Sequence, residues 1–253
     1  MPRLAESSVM EKGFRILGAF DEKHYQLNLS EISRRSGLPL TTTHRIAAQL
    51  VASGALERVV ASGAYQVGLR LWEIASLAPR SVDLQRIAMP FMQDLYETMH
   101  YPVHLAIREG NEVVFVARLV DKTLTDARPR VGGRYAIHAT AVGHILLAFA
   151  PPDVQNEILE APLNRLTSHT ETDPAVLRVT LGRVRREGLA ISDRQIDTDL
   201  VSIAAPIYDS SNRVVAALSI IVPFTQMQGR AWGYPVQASA RGISRANRPR
   251  RAE

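Results

Sequence analysis

The sequence contains no cysteine. That absence excludes a disulfide framework, thiolate catalysis and cysteine-based zinc fingers, and it accords with a reducing compartment. Long apolar runs are missing as well: none approaches the roughly eighteen residues that a membrane-spanning helix needs. The opening residues Met1 to Glu6 carry no apolar core of the kind found in secretory signals. A cytoplasmic protein with no membrane contact is therefore expected. There is no GxGxxG, no P-loop and no GxSxG, which removes the dinucleotide, nucleotide-phosphate and serine-hydrolase motifs.

What is present is a chain of 253 residues, 46% of them hydrophobic, enough for one large domain or two unequal ones. The net charge of +5 is unevenly placed. Residues 1–70 carry nine Lys and Arg against six Asp and Glu, residues 241–253 carry five Arg against one Glu, and the stretch between is mildly acidic. Charge alone leaves two readings open: a polyanion partner at the ends, or an ordinary solvated surface with a basic tail.

Pattern decides more than charge. Residues 8–20 set Val9, Gly13, Ile16, Leu17 and Phe20 on one helical face, with Ser8 as N-cap. Asn28 and Glu31 have capping-box spacing, and the helix they open stops at Gly37. Leu38-Pro39-Leu40 then separates it from a second helix, expected to start at Thr41-Thr42-Thr43 and to end near Gly54. Two short helices about a tight turn form a helix-turn-helix. Residues 55–60 and 64–68 are β-prone runs around Ala61-Ser62-Gly63, a hairpin in the position of a wing.

Residues 69–78 read as an apolar helix closed by Pro79. Residues 83–99 read as another, with Leu84, Ile87, Phe91, Leu95 and Met99 inward and Pro90 as a kink or a start. From Val103 the period changes to that of strands, with a hairpin at Gly110-Asn111. An Arg- and Gly-rich loop (127–134) precedes the apolar helix HATAVGHILLAFA, stopped by Pro151-Pro152. Helical patterns at 153–160 and 174–187, then strands at 189–193, 201–209 and 214–222, complete an α+β reading.

On the second helix of the helix-turn-helix, Thr43, Ile46, Ala47 and Leu50 share the inward face. Thr41, His44, Arg45 and Ala48 share the outward one, with Thr42 and Gln49 at its margin. A short-chained polar face with one Arg suits a major groove, where Arg45 can pair with guanine and the threonines can reach phosphate or a thymine methyl. Ser30 suits a phosphate at the start of the preceding helix, and Arg58 and Ser62 of the hairpin suit backbone or minor-groove contact.

The run LNLSEISRRSGLPLTTTHRIAAQLVASGALER…GAYQVGLRLWEIA resembles the DNA-binding domain of IclR-type transcription regulators. YPVHLAIREGNEVVFVARL, HATAVGHILLAF, EGLAISD and SIAAPIYDSSNRVVAALSIIVP are similar to that family's effector-binding domain. The resemblance implies a winged helix-turn-helix, a helical linker and a GAF/PAS-like antiparallel-sheet sensor domain. It also implies homodimers or homotetramers on palindromic operators in double-stranded DNA. The boundaries expected are 8–68 for the DNA-binding domain, 69–99 for the linker and dimerisation segment, 100–240 for the effector domain and 241–253 for a basic tail. By motif matching, a small organic effector meets Leu124, Ala127, Tyr135, Ala141, Val142, Asp193, Ser202, Ser219 and Ile221. The helix start near 140–143 suits a carboxylate, and Tyr135, Val142 and Ile221 suit a ring or short chain.

The expected function is a DNA-binding regulator controlled by a small carboxylate or aromatic acid tied to catabolism, with no cofactor, no metal and no catalysis. The alternative is a metal-dependent hydrolase with an incidental DNA-binding domain. Its candidate ligands are poor: Pro102 interrupts the spacing of His100 and His104, His138 and His144 fall on different helical faces, and Asp193, Asp197 and Asp199 lack a regular coordination pattern.

Overall fold

Ser8 opens the first helix, α1 (Val9–Leu17), by accepting the backbone N–H of Glu11 on its hydroxyl at 3.1 Å. The structure is a computed structural model and describes residues 8–21, 23–77, 79–121, 130–227 and 229–247. The chain divides into two units, one ending at Val82 and the other beginning at Asp83.

In the smaller unit, α2 (Leu29–Ser36) carries the expected capping box. Asn28 Oδ1 accepts the Glu31 N–H at 2.9 Å, and the Glu31 carboxylate accepts the Asn28 N–H at 2.8 Å. Gly37 ends the helix at φ 65°, where a side chain would be strained. The next helix, α3 (Leu40–Ala52), starts one residue before the expected threonine cap, on Pro39. Thr43 is fully buried instead, and its hydroxyl donates back to the Pro39 carbonyl at 3.0 Å.

Three short strands close this unit: β1 (Gln26–Leu27), β2 (Leu56–Arg58) and β3 (Tyr65–Val67), antiparallel in the order β1-β3-β2. The wing hairpin is as expected. Its third strand was not, because two residues are too few to show an alternation. Ile16, Leu27, Ile32, Ile46, Ala47, Leu56 and Tyr65 form one core, whereas Val9, expected inward, is exposed.

Helix α4 (Leu69–Ala75) follows. Pro79 does not close it but opens α5 (Pro79–Met99), where a missing N–H and a fixed φ cost nothing. Pro90 sits inside α5 on an exposed position without ending it. Leu84, Ala88, Met92 and Leu95 are its buried line, with Ile87, Phe91 and Met99 only partly covered, so the inward face is turned from the one expected. From Asp83 onward, the segment expected as a linker belongs to the larger unit and lines its core.

The larger unit is built on β4 (Val103–Glu109), β5 (Glu112–Leu119), β6 (Arg134–Ala136), β7 (Ala190–Asp193), β8 (Leu200–Tyr208) and β9 (Val214–Pro223). All pairs are antiparallel, in the order β6-β5-β4-β9-β8-β7. Helices α6 (Ala141–Ala148), α7 (Pro152–Glu160), α8 (Pro174–Glu187) and α9 (Gly233–Ala246) complete it.

Strand alternation sorts the core into two layers. Val201, Ile203, Ala205 and Ile207 of β8 and Leu218, Ile220 and Val222 of β9 pack with α5 and with Val236, Ala240 and Ile243 of α9. Ala106, Phe115, Ala190, Ala204 and Ala217 pack on the other side with Ile145 of α6 and Leu177, Leu181 and Val184 of α8. With both faces covered, β8 and β9 read as near-continuous apolar runs. Strand β6 and helix α9 were not anticipated. Residues 241–246, expected in the basic tail, complete α9, with Ile243 fully buried, while 248–253 lie outside the described residues.

Candidate functional site

The outward face of α3 is as the helical period places it. Thr43, Ile46 and Ala47 are buried, Leu50 is partly so, and Thr41, His44, Arg45, Ala48 and Gln49 are exposed with Thr42 at the margin. Among the described residues, His44 and Arg45 have no intramolecular hydrogen bond or ion pair and are available to a partner. Ser30 is exposed in the first turn of α2. Ser62 is exposed at the tip of the wing and accepts the Ala64 N–H at 3.3 Å. Arg58 is already engaged: its guanidinium lies 4.9 Å from the Tyr65 ring centroid and donates to the Tyr65 hydroxyl at 3.0 Å.

Two residues that matter for this unit had been read only as charge. Arg15 of α1 donates from Nη2 and Nε to the Ser36 carbonyl at 2.6 and 3.0 Å, and from Nη2 to the Gly37 carbonyl at 3.1 Å. These carbonyls belong to the turn between α2 and α3, so Arg15 sets where α3 begins. Arg35 donates from Nε to the Ala19 carbonyl at 2.6 Å and pairs with Asp21. Burial works to raise the Asp21 pKa, but hydrogen bonds from His24, the Lys23 N–H and Arg35 outweigh it and hold the carboxyl at about 2. Nothing in local periodicity marks such clamps, because they join residues 14 to 22 positions apart.

In the larger unit, the start of α6 meets the sheet. Thr140 caps α6 by accepting the Gly143 N–H at 3.0 Å, and Ser202 Oγ on β8 accepts the Ala141 N–H at 3.4 Å. Two predicted effector residues, Ala141 and Ser202, are thereby brought together. Val142 is buried beside them. Ser219 and Ile221 lie on the same sheet face as Ser202, since Ile221 pairs directly with Ser202 and Ser219 is two residues along β9. Tyr135 packs edge-on against Phe115 on that side, with centroids 5.3 Å apart.

Asp193 does not join this group. It pairs with Val201, whose side chain is in the α5 and α9 layer, and its exposed carboxylate is held by Arg194 at 2.9 Å. The residue on the Ser202 face is Ser192, buried and donating from Oγ to the Ala139 carbonyl at 2.6 Å. Counting in twos back from the strand pairing identifies Ser192, but that register is not visible in the sequence. Leu124 and Ala127 lie outside the described residues.

The same face carries a second unanticipated residue. His104 on β4 pairs directly with Ser219 on β9 and packs edge-on against Phe115 at 5.6 Å. It is 1% exposed, and among the described residues neither ring nitrogen has a hydrogen-bond partner. Burial, reinforced by the Arg118 charge, lowers its pKa to about 3, so the ring is neutral. His144 on α6 is also buried. Its Nε2–H donates to the His138 carbonyl at 2.6 Å, and burial lowers its pKa to about 4. Among the described residues, no three His, Asp or Glu side chains gather as a metal site, and His100 is exposed on the loop before β4 while His104 is inside the unit.

Comparison with known proteins agrees with this geometry. Residues 9–59 match the IclR helix-turn-helix domain, and residues 77–245 match the bacterial transcriptional regulator IclR C-terminal domain. The chain is 30% identical over 244 residues to the HTH-type transcriptional repressor AllR of Escherichia coli (strain K12), covering 95% of this chain and 90% of that one. It is 28% identical over 212 residues to the HTH-type transcriptional regulator XynR of the same strain, covering 83% and 84%. Among solved structures, an IclR homolog from Microbacterium hydrocarbonoxydans complexed with 4-hydroxybenzoate superposes with a TM-score of 0.86 at 33% identity, covering 94% of this chain and 98% of that one. The chain belongs to the IclR family of bacterial transcriptional regulators, which join a DNA-binding helix-turn-helix to an effector-binding C-terminal domain, and it is not an enzyme.

Proposed function

We propose that this regulator acts in the cytoplasm on a palindromic operator, which it reads with the outward face of α3, and that a small aromatic acid or carboxylate controls it. The observation that carries the DNA reading is the exposed, unpaired Arg45 flanked by Thr41, Thr42 and His44 on a helix held by α1 and α2. Arg45 pairs with guanine, the threonines meet phosphate or a thymine methyl, and Ser30 and Ser62 hold phosphates on either side. Arg58, stacked on Tyr65, approaches the backbone beside the wing.

The effector binds where Ser202 meets α6, with Tyr135, Val142, Ser219 and Ile221 around it. Support comes from the Ser202 hydroxyl set against the start of α6 and the buried Ser219, which suit a carboxylate at a helix N-terminus, and from the relative solved with 4-hydroxybenzoate. The chain works as a homodimer or homotetramer. Phe14 of α1 and Leu69, Trp72 and Ile74 of α4 present apolar surface that a second copy covers. Ligand binding then biases the placement of paired α3 helices, for which a coupling of about 1–3 kcal/mol suffices.

Gel-shift with DNA from upstream of the chain's own reading frame tests the first part, and a salt-sensitive, sequence-dependent complex is the expected result. For the second, a thermal-shift screen of small carboxylates and aromatic acids reads about 2.7 kcal/mol of stabilisation at a hundred times Kd. Loss of the complex at every protein concentration refutes the DNA reading. Absence of any shift across the acids refutes the effector reading.

A further inference from the structure

The strand register arranges the polar groups of the α6 side of the sheet in two rows. Ser192, Ser202 and Ile221 are direct neighbours across β7, β8 and β9. One two-residue step away, Ala190, Ala204, Ser219 and His104 run across β7, β8, β9 and β4. The Ser202 hydroxyl marks the end of the site at the first turn of α6, and His104 marks the other end. Two strand spacings of about 4.8 Å and a two-residue step of about 6.8 Å separate their Cα atoms by roughly 12 Å. Between them the sheet floor is small: Ala204, Ala217 and Ala106.

His104 is the anomaly of this face. A buried imidazole with both nitrogens unpartnered among the described residues is a standing cost that Leu or Phe at the same position would avoid. Its ring is fixed edge-on against Phe115 and its strand neighbour is Ser219, so it has a defined place beside the serine rather than a free rotamer. As a neutral ring it has one N–H donor and one bare nitrogen acceptor. A carboxylate, which only accepts, can meet only the N–H, whereas a hydroxyl can meet either nitrogen, donating to the bare one or accepting from the N–H.

We propose that His104, with the Ser219 hydroxyl beside it, hydrogen-bonds a ring hydroxyl of the effector, so that the site selects a hydroxylated aromatic acid with its carboxylate at the start of α6. This rests on the effector being an aromatic acid. The carboxylate end gives general affinity for such acids, and His104 discriminates among them. In a buried site, a ring hydroxyl relieves the unpaired imidazole, and an analogue lacking it leaves that cost in place and binds more weakly.

The test is isothermal titration of the full-length chain with 4-hydroxybenzoate and with benzoate, on the wild type, His104→Phe and His104→Gln. The wild type is expected to favour 4-hydroxybenzoate by about tenfold or more. His104→Phe, which fills the volume without a polar atom, should bring the two acids within about twofold while holding benzoate near its wild-type affinity. His104→Gln should restore part of the preference through its amide. The unliganded His104→Phe chain should melt at or above the wild-type temperature, because it removes an unpaired buried group. Both acids binding with the preference intact in His104→Phe overturns the proposal alone. Neither acid binding the wild type overturns the aromatic-acid reading, and this proposal with it.

Discussion

Arg15 Nη2 lies 2.6 Å from the Ser36 carbonyl oxygen, a hydrogen bond that ties the last turn of α1 to the last residue of α2. Together with the bond to the Gly37 carbonyl, it supports the turn from which α3 projects. Recognition by α3 therefore depends on a residue that need not touch DNA. Arg15→Met keeps the aliphatic stem and removes the donors. It should destabilise the smaller unit by about 1.5–3 kcal/mol, the range for a hydrogen bond to a charged group, and weaken operator binding in parallel. Denaturant unfolding of the full chain with anisotropy of labelled DNA measures both. Unaltered stability would show that the turn holds without the clamp.

Arg45→Ala should behave differently. The side chain is exposed and unpaired, so melting should stay within about 0.5 kcal/mol of wild type. Affinity for the operator should fall by about 1–3 kcal/mol, while affinity for unrelated duplex falls much less. Competition gel-shift with operator and random DNA separates the two. Equal losses on both DNAs would place Arg45 on phosphate.

Gly143 lies where α6 passes against the chain before it. A Cβ built there would come within 2.0 Å of the Ile137 carbonyl oxygen and 2.5 Å of Thr140 Oγ1. The first is a backbone atom and the second is the hydroxyl that caps α6, so Gly143→Ala must displace the start of α6. A loss of about 1–3 kcal/mol or more is expected, with effector binding lost in whatever folds. Calorimetric melting with and without ligand provides the measurement.

The acid limb of stability should be steep between about pH 6.5 and 4. His104 and His144 have folded pKa values lowered to about 3 and about 4, so below 6.5 the unfolded chain takes up protons that the folded chain refuses. The stability they contribute is present above pH 6.5 and is lost as pH falls, by at most about 1.4 kcal/mol per pH unit for each ring. Asp21, held at about 2, adds a further loss as pH falls from about 4 towards 2. Unfolding midpoints from pH 7 to 4 should fall less steeply in His104→Phe than in wild type. Parallel curves would mean that His104 titrates normally in the fold.

Local features were legible wherever chemistry and spacing coincide within one helix or turn. The Asn28–Glu31 capping box, the Gly37 stop and the division of α3 into a buried Thr43–Ile46–Ala47 side and an outward Arg45 side were all readable in this way. Errors arose where partners are distant. Thr41–Thr43 looked like a cap until Thr43 proved to be buried against Pro39, and Asp193 was placed in the site one strand residue away from Ser192. A one-residue slip in a strand exchanges its two faces, and nothing within a four-residue strand prevents that slip in the reading.

By itself, the sequence determined that this chain carries a winged helix-turn-helix and a second α+β domain, because caps, periods and turn residues act over a few positions; the IclR-type family followed from the resemblance of its motifs. Only the tertiary structure decided which polar residues share the α6 side of the sheet. Ser192, Ser202, Ser219 and His104 come from four strands, and hydrogen-bond register alone sets them side by side. It also decided that Arg15 governs the turn before α3, since that contact spans 21 residues and exists only once α1 and α2 have packed.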